Sequence, residues 1–325
     1  MALFSKDKPT LTDNQWERSV LEKVAMASVE EQKKARRWSI FFKLLFISYI
    51  AILTSLTMSP LVDSTTKTSG SHTAVVDIKG IITDGAEADA DTIIESLNKA
   101  AADSNTKGII IRVNSPGGSP VQSSYVYQAI QEIRANNPEM PVHAVIEDLC
   151  ASGGYYIASA VDKIFVNESS IVGSIGVVMN GFGFTEAMKT LGVDRRLYTA
   201  GEHKGFLDPF SDVNPAELEH VQSMLNDIHQ EFIIAVKTGR GDRLHDNPNL
   251  FSGLVWAGSE SIRLGLTDEL GNVKSVAKNE IGEENIVNFT AEKPFIEKLA
   301  KNMGVAMAEF ASRFSTMQSN QVFSK

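Results

Sequence analysis

Four short aliphatic runs recur along the middle of the chain, at 74–78, 108–113, 142–146 and 163–166. Each is too apolar on both faces to leave either one in water, which is the signature of a strand inside a parallel sheet covered by layers above and below. The stretches between them have helical spacing. Asp91 to Ala102 places Ile94, Leu97 and Ala101 on one face, and Val121 to Ala135 runs until Asn136-Asn137-Pro138 stops it. Strand and helix in alternation imply an α/β domain with a mainly parallel sheet. Such sheets collect their sites at the carboxyl ends of the strands. Two glycine turns, 116–118 and 152–154, fall at such ends, so both can face one pocket.

Beyond this region, Asn214-Pro215-Ala216-Glu217 is a strong helix start, with an N-cap, Pro at the first helical position and Glu at the third. That helix is predicted to run to Lys237. Residues 251–272 read as turn-rich around Trp256, and no internal repeat is present. The 325 residues divide into a polar leader (1–37), an apolar segment (38–59), a Ser/Thr/Gly-rich linker (60–72), a main domain (73–295) and a helical tail (296–325).

The leader carries a helical segment opened by a capping box at Thr12 and Gln15, and it ends in Lys33, Lys34, Arg36 and Arg37. From Trp38 to Met58 the chain is nearly continuously apolar, with Lys43 near the start, long enough to span a bilayer. A cleavable signal peptide would need a shorter basic region and a small-x-small cleavage site, and Thr57-Met58-Ser59 is not one. The expectation is a retained signal-anchor over 38–59. The basic cluster keeps the N-terminus in the cytoplasm and sends the main domain across. Net charge of −9, with no basic stripe interleaved with aromatics after residue 60, excludes broad nucleic-acid binding. The single cysteine, Cys150, excludes an intrachain disulfide framework and a multi-cysteine zinc site.

The run 142–146 leads into Asp148-Leu149-Cys150-Ala151-Ser152-Gly153-Gly154-Tyr155-Tyr156, a strand, a small-residue corner and a helix. Ser152 at that corner is either an ordinary helix N-cap or a nucleophile lifted clear of the sheet, beside the free N–H groups of a helix N-terminus. A nucleophile needs a base. His72 falls in the linker, His143 in an apolar strand, His220 and His229 on the outward side of the 214–237 helix, His245 in a polar loop and His203 in a Gly-flanked loop. None is singled out, so a Ser–His–Asp triad has no support. A lysine serves instead when burial lowers its pKa. Lys204 lies in a glycine-bounded loop, Gly201-Glu202-His203-Lys204-Gly205, followed by Phe206, Leu207 and Phe210, and is either that base or a surface lysine.

The Ser152 and Lys204 stretches, with Asn114-Ser115-Pro116-Gly117-Gly118, Gly173-Ser174-Ile175-Gly176-Val177, Trp256-Ala257-Gly258 and 264–271, resemble the signal peptide peptidase A family of membrane-anchored serine peptidases in its short, single-span form. The resemblance covers roughly 73–275, and Lys204 follows Ser152 by 52 positions, close to the family spacing. It implies Ser152 as nucleophile, Lys204 as general base, Ser174 orienting Lys204, and the backbone N–H groups of Gly118 and Gly153 as oxyanion donors. Gly205 departs from the polar residue that many relatives carry there. The resemblance also implies the superhelical α/β fold of the caseinolytic protease and crotonase superfamily and a ring-like homo-oligomer. It further implies cleaved signal peptides as substrates, the bacterial inner membrane as location, and neither cofactor nor metal. The expected pocket, lined by Leu, Ile, Val and Tyr, suits small or apolar side chains. The rival readings are a non-catalytic membrane scaffold of the same fold and a crotonase-type acyl-CoA enzyme, which would need a Glu acid/base.

Overall fold

The computed structural model describes residues 13–58 and 70–291. The 296–325 tail and most of the 60–72 linker lie outside them. Helix α1 spans Asp13–Met58 as one continuous element. Among the described residues no helix is long and apolar enough to cross a membrane. The expected span over 38–59 reaches into residues 53–59, whose side chains lie outside the described ones. Helix α1 continues through this segment to Met58, with Lys43 near the segment's start.

In the main domain β1 (His72–Lys79), α2 (Ala90–Ala102), β2 (Thr106–Ser115), α3 (Pro120–Asn136) and β3 (Val142–Ala151) follow in strict alternation. They continue with α4 (Gly153–Ala158), β4 (Lys163–Val166), β5 (Ile171–Gly173), α5 (Thr185–Leu191) and α6 (Pro215–Arg240). The remaining elements are β6 (Val255–Ala257), α7 (Gly258–Arg263), β7 (Glu269–Leu270), α8 (Val273–Val276), which continues into a π turn at 277–281, and β8 (Ile286–Asn288). The sheet order is β6-β5-β3-β2-β1-β8, with β4 between β3 and β7. All pairs are parallel except β5–β6, so the sheet is mixed rather than wholly parallel.

Alternation along the strands explains the layers. Ala74, Val76, Ile78, Ile109, Ile111, Val113, Ala144 and Ile146 face one way, into the core shared with α2, α3, α4 and α6. Val75, Ile110, Val145 and Phe165 face the other way, against Val276 and Ala277. Both faces are therefore dry, as the apolar runs require. His72, expected in the linker, instead begins β1, buried and 3.2 Å from the Thr106 hydroxyl. The strands are also longer than the apolar runs: β3 continues through the polar Glu147 and Asp148. Pairing jumps there from Val113↔Ile146 to Ser115↔Cys150, so 147–149 bulge out, and the last residues of β3 pair with β5 instead of β4. That switch bends β3 and aims its end, Ala151, at the Ser152 corner.

Helix α6 runs to Arg240, past the expected end, because the Arg240 guanidinium is buried against both carboxylate oxygens of Asp268, at 2.8 and 2.9 Å, and against the Gly265 carbonyl. Burial pushes the Asp268 carboxyl up, but Arg240, the Ile164 N–H and Arg243 outweigh it and hold it below its ordinary range. A folded-state pKa below the unfolded value contributes stability that is present above about pH 4 and is lost as pH falls through the depressed value. Asp268→Asn is expected to lose about 3 kcal/mol or more, since it leaves a buried guanidinium uncompensated. It should also flatten the acid limb of a urea-midpoint-against-pH curve. An unchanged midpoint would refute this account of the pair.

Candidate active site

Ser152 lies between β3 and α4 with φ 51° and ψ −122°, a left-handed conformation that favours glycine. Holding a side-chain-bearing residue there costs on the order of 1–3 kcal/mol. Its N–H donates to the Gly173 carbonyl at 2.8 Å, and its hydroxyl makes no capping bond to α4. Ser152 thus stands at the N-cap position with its carbonyl accepting from Tyr156 N–H, and its side chain takes no part in capping. The hydroxyl is left unengaged at the end of a central strand.

The 116–118 turn packs directly on this corner. A Cβ at Gly117 would stand 2.6 Å from the Gly153 nitrogen, and one at Gly118 2.0 Å from the Ile82 carbonyl oxygen, so neither position admits a side chain. Gly118 bridges Ile82 through its neighbours: Ile82 N–H donates to Gly117 O, and Ser119 N–H to Ile82 O. The Gly118 N–H is thus turned away from Ile82. Among the described residues no acceptor engages it or the Gly153 N–H. Ser119 caps α3 through its side chain, which holds the turn in place.

These groups open into a cavity of about 410 Å³. Ser152, Gly118, Gly153 and Ser174 all line it, which brings together four of the five expected site residues. Ser174 also has positive φ, 54°, and its N–H donates to Leu254 O. The apolar wall comes from Tyr156, Val177, Val178, Ile228, Phe232 and Phe251. It holds the expected Ile, Val and Tyr with added Phe, and no Leu. Tyr156 stacks on Phe232 with ring centroids 4.8 Å apart. Among the described residues no Asp or Glu lines the cavity.

Lys204 is not brought to this cavity. It is exposed in the 201–207 turns, its N–H on the Gly201 carbonyl, and Leu207 beside it has φ 58°. The three non-glycine residues of positive φ among the described ones are therefore Ser152, Ser174 and Leu207. No residue from 176 to 220 is buried, and Val178, Phe182 and Tyr198 are 84, 81 and 89% exposed. Among the described residues, the stretch that carries Lys204 finds no core to pack against.

The histidines sort differently from their sequence context. His203 is exposed near Glu217, and His220 lies against the Phe206 ring. His143 is buried beside Phe165, and that burial lowers its pKa. His229, expected on the outward side of α6, is half-buried, lines the cavity and sits 3.1 Å from the Ile175 carbonyl. Only the angle at which α6 docks reveals this. The sole hint in the sequence is the Ile228 and Phe232 pair around it.

Residues 134–288 match peptidase family S49, and residues 72–171 match Clp protease. Over 188 residues the chain is 45% identical to a protein of Brucella abortus named Na(+)/H(+) antiporter NhaA, covering 58% of this chain and 25% of that protein. It is 28% identical over 202 residues to the putative signal peptide peptidase SppA of Enterococcus faecium, covering 60% of this chain and 58% of that one. It is 32% identical over 225 residues to protease 4 of Haemophilus influenzae, covering 66% of this chain and 35% of that one. The chain thus spans from a quarter to somewhat under two thirds of these relatives' lengths. The match to the Brucella protein takes in only a minor part of it, so its transport name does not carry over to this chain.

Proposed function

We propose, from the premise that this chain belongs to peptidase family S49, that it is a serine endopeptidase whose nucleophile is Ser152. The observation that carries the reading is the strained Ser152 corner, with its free hydroxyl beside the unengaged N–H groups of Gly118 and Gly153. In this mechanism the Ser152 oxygen attacks the scissile carbonyl, and the two N–H groups receive the oxyanion. Lys204 takes the hydroxyl proton and returns it to the leaving amine, and Ser174 orients the Lys204 side chain. An acyl-CoA enzyme is disfavoured because the described residues put no carboxylate on the cavity lining. Labelling of the purified full chain by a fluorophosphonate tests the reading. Stoichiometric modification of Ser152, together with peptide hydrolysis, supports it. An unreactive Ser152 would favour the scaffold instead.

A lysine can act as base at neutral pH only when desolvated. Lys204 is exposed on a stretch rich in uncovered apolar side chains. A neighbouring copy would cover that stretch and supply the missing burial, and this supports a ring-like homo-oligomer with the dyad shared between chains. The substrates proposed are cleaved signal peptides or other membrane-proximal unfolded segments. In this reading residues 38–59 anchor the enzyme in a bacterial inner membrane behind the basic cluster at 33–37, with the peptidase domain outside the cytoplasm. A C-terminal reporter that works only outside the cytoplasm is the expected outcome; one active only inside would refute the topology.

A further inference from the structure

The cavity holds more polar equipment than the acyl-transfer step uses. Among its polar side chains, the Ser252 hydroxyl donates to Asn249 O at 2.8 Å, and Tyr156 is held by its ring, stacked on Phe232. The Ser152 and Ser174 hydroxyls belong to the proposed chemistry. His229 remains. A carbonyl only accepts, so at 3.1 Å from Ile175 O the His229 Nε2 carries a proton and donates it. In the neutral ring Nδ1 is then an acceptor. It has no partner among the described residues and is not one of the buried unpartnered atoms, so it keeps open access on a cavity-lining side chain. Ile228 and Phe232 flank it on the same helix and make the surrounding wall apolar.

We propose that His229 is a specificity-determining residue of the Ser152 pocket, its Nδ1 accepting a hydrogen bond from a hydroxyl- or amide-bearing substrate side chain within a cavity otherwise shaped for apolar groups. The Ile175 bond fixes the tautomer and aims the ring, so the acceptor is pre-set before substrate arrives. Among the described residues of this chain no carboxylate or arginine lines the cavity, and the lysine proposed to enter from a neighbouring copy is engaged with Ser152 and Ser174. A donor side chain that meets Nδ1 retains the hydrogen bond it gives up with water. An apolar isostere would leave Nδ1 desolvated and unpaired.

This rests on the peptidase reading, and one experiment separates the two. Quenched-fluorescent peptides are prepared in isosteric pairs, Ser/Ala, Thr/Val and Asn/Leu, at each of the three positions on either side of the cleaved bond. They are assayed with the purified full chain and with His229→Leu and His229→Gln. Wild type is expected to prefer the donor-bearing member at one position by about tenfold in kcat/KM. His229→Leu should abolish that ratio, and His229→Gln, which keeps both a donor and an acceptor, should restore part of it. If wild type cleaves the panel without such a preference, or His229→Leu leaves the ratio intact, the inference falls alone. A loss shared equally by both members of every pair in His229→Leu and His229→Gln overturns it too, leaving His229 as a strut for the 174–178 segment. If wild type cleaves no peptide and Ser152 is unreactive, the peptidase reading falls and the inference falls with it.

Discussion

Ser152→Ala is expected to lower kcat/KM for peptide hydrolysis by about a thousandfold or more, with the fold intact. The size follows from removing the atom that forms the acyl bond; the oxyanion donors alone leave only residual catalysis. The intact fold follows from the hydroxyl making no capping bond to α4. Ser152→Gly sharpens the test, because glycine adopts φ 51° and ψ −122° without the penalty that serine meets. It should be as inactive as the alanine variant yet more stable by about 1 kcal/mol, a rise of about 2–4 °C in Tm. Opposite signs in activity and stability would mean that the corner holds strain for the sake of the nucleophile. Retained hydrolysis in either variant would remove Ser152 from the mechanism. A lower Tm for Ser152→Gly would show that the corner is not strained.

Mixing Ser152→Ala with Lys204→Ala protein should restore activity that neither variant has alone. Loss of the general base by itself is expected to cost about a hundred- to ten-thousandfold. In a ring where each site takes its serine from one chain and its lysine from the next, random mixing gives intact sites at about one in four, hence about a quarter of wild-type activity. The exposure of Lys204 and of the uncovered stretch from 176 to 220 motivates this outcome. Mixed oligomers, verified by native mass, that stay inactive would assign the dyad to a single chain.

Much of this was legible in the residues. The aliphatic runs foretold the buried strands, since a chain with both strand faces apolar has few ways to keep them dry. The Asn214-Pro215 start foretold α6 to the residue, because caps act locally. Four of the five expected site positions converge on one cavity, as glycine turns at the ends of adjacent parallel strands must. The outward placement of His229 and the linker placement of His72 were misread for a common reason: burial of a polar ring depends on what packs over it. The same holds for Arg240, whose partner Asp268 is remote in sequence.

By itself the sequence determined the alternation, the strand cores and the helix starts, all properties of short range along the chain, and it left Ser152 and Lys204 with two readings each. The tertiary structure decided the bulge that bends β3 between two partners, the positive φ of Ser152, and the entry of His229 into the pocket. It also decided that Lys204 stands outside that pocket in its own chain. Those outcomes depend on which distant segments meet and at what angle. Such angles come from the packing of whole layers against one another, and no local pattern of residues encodes them.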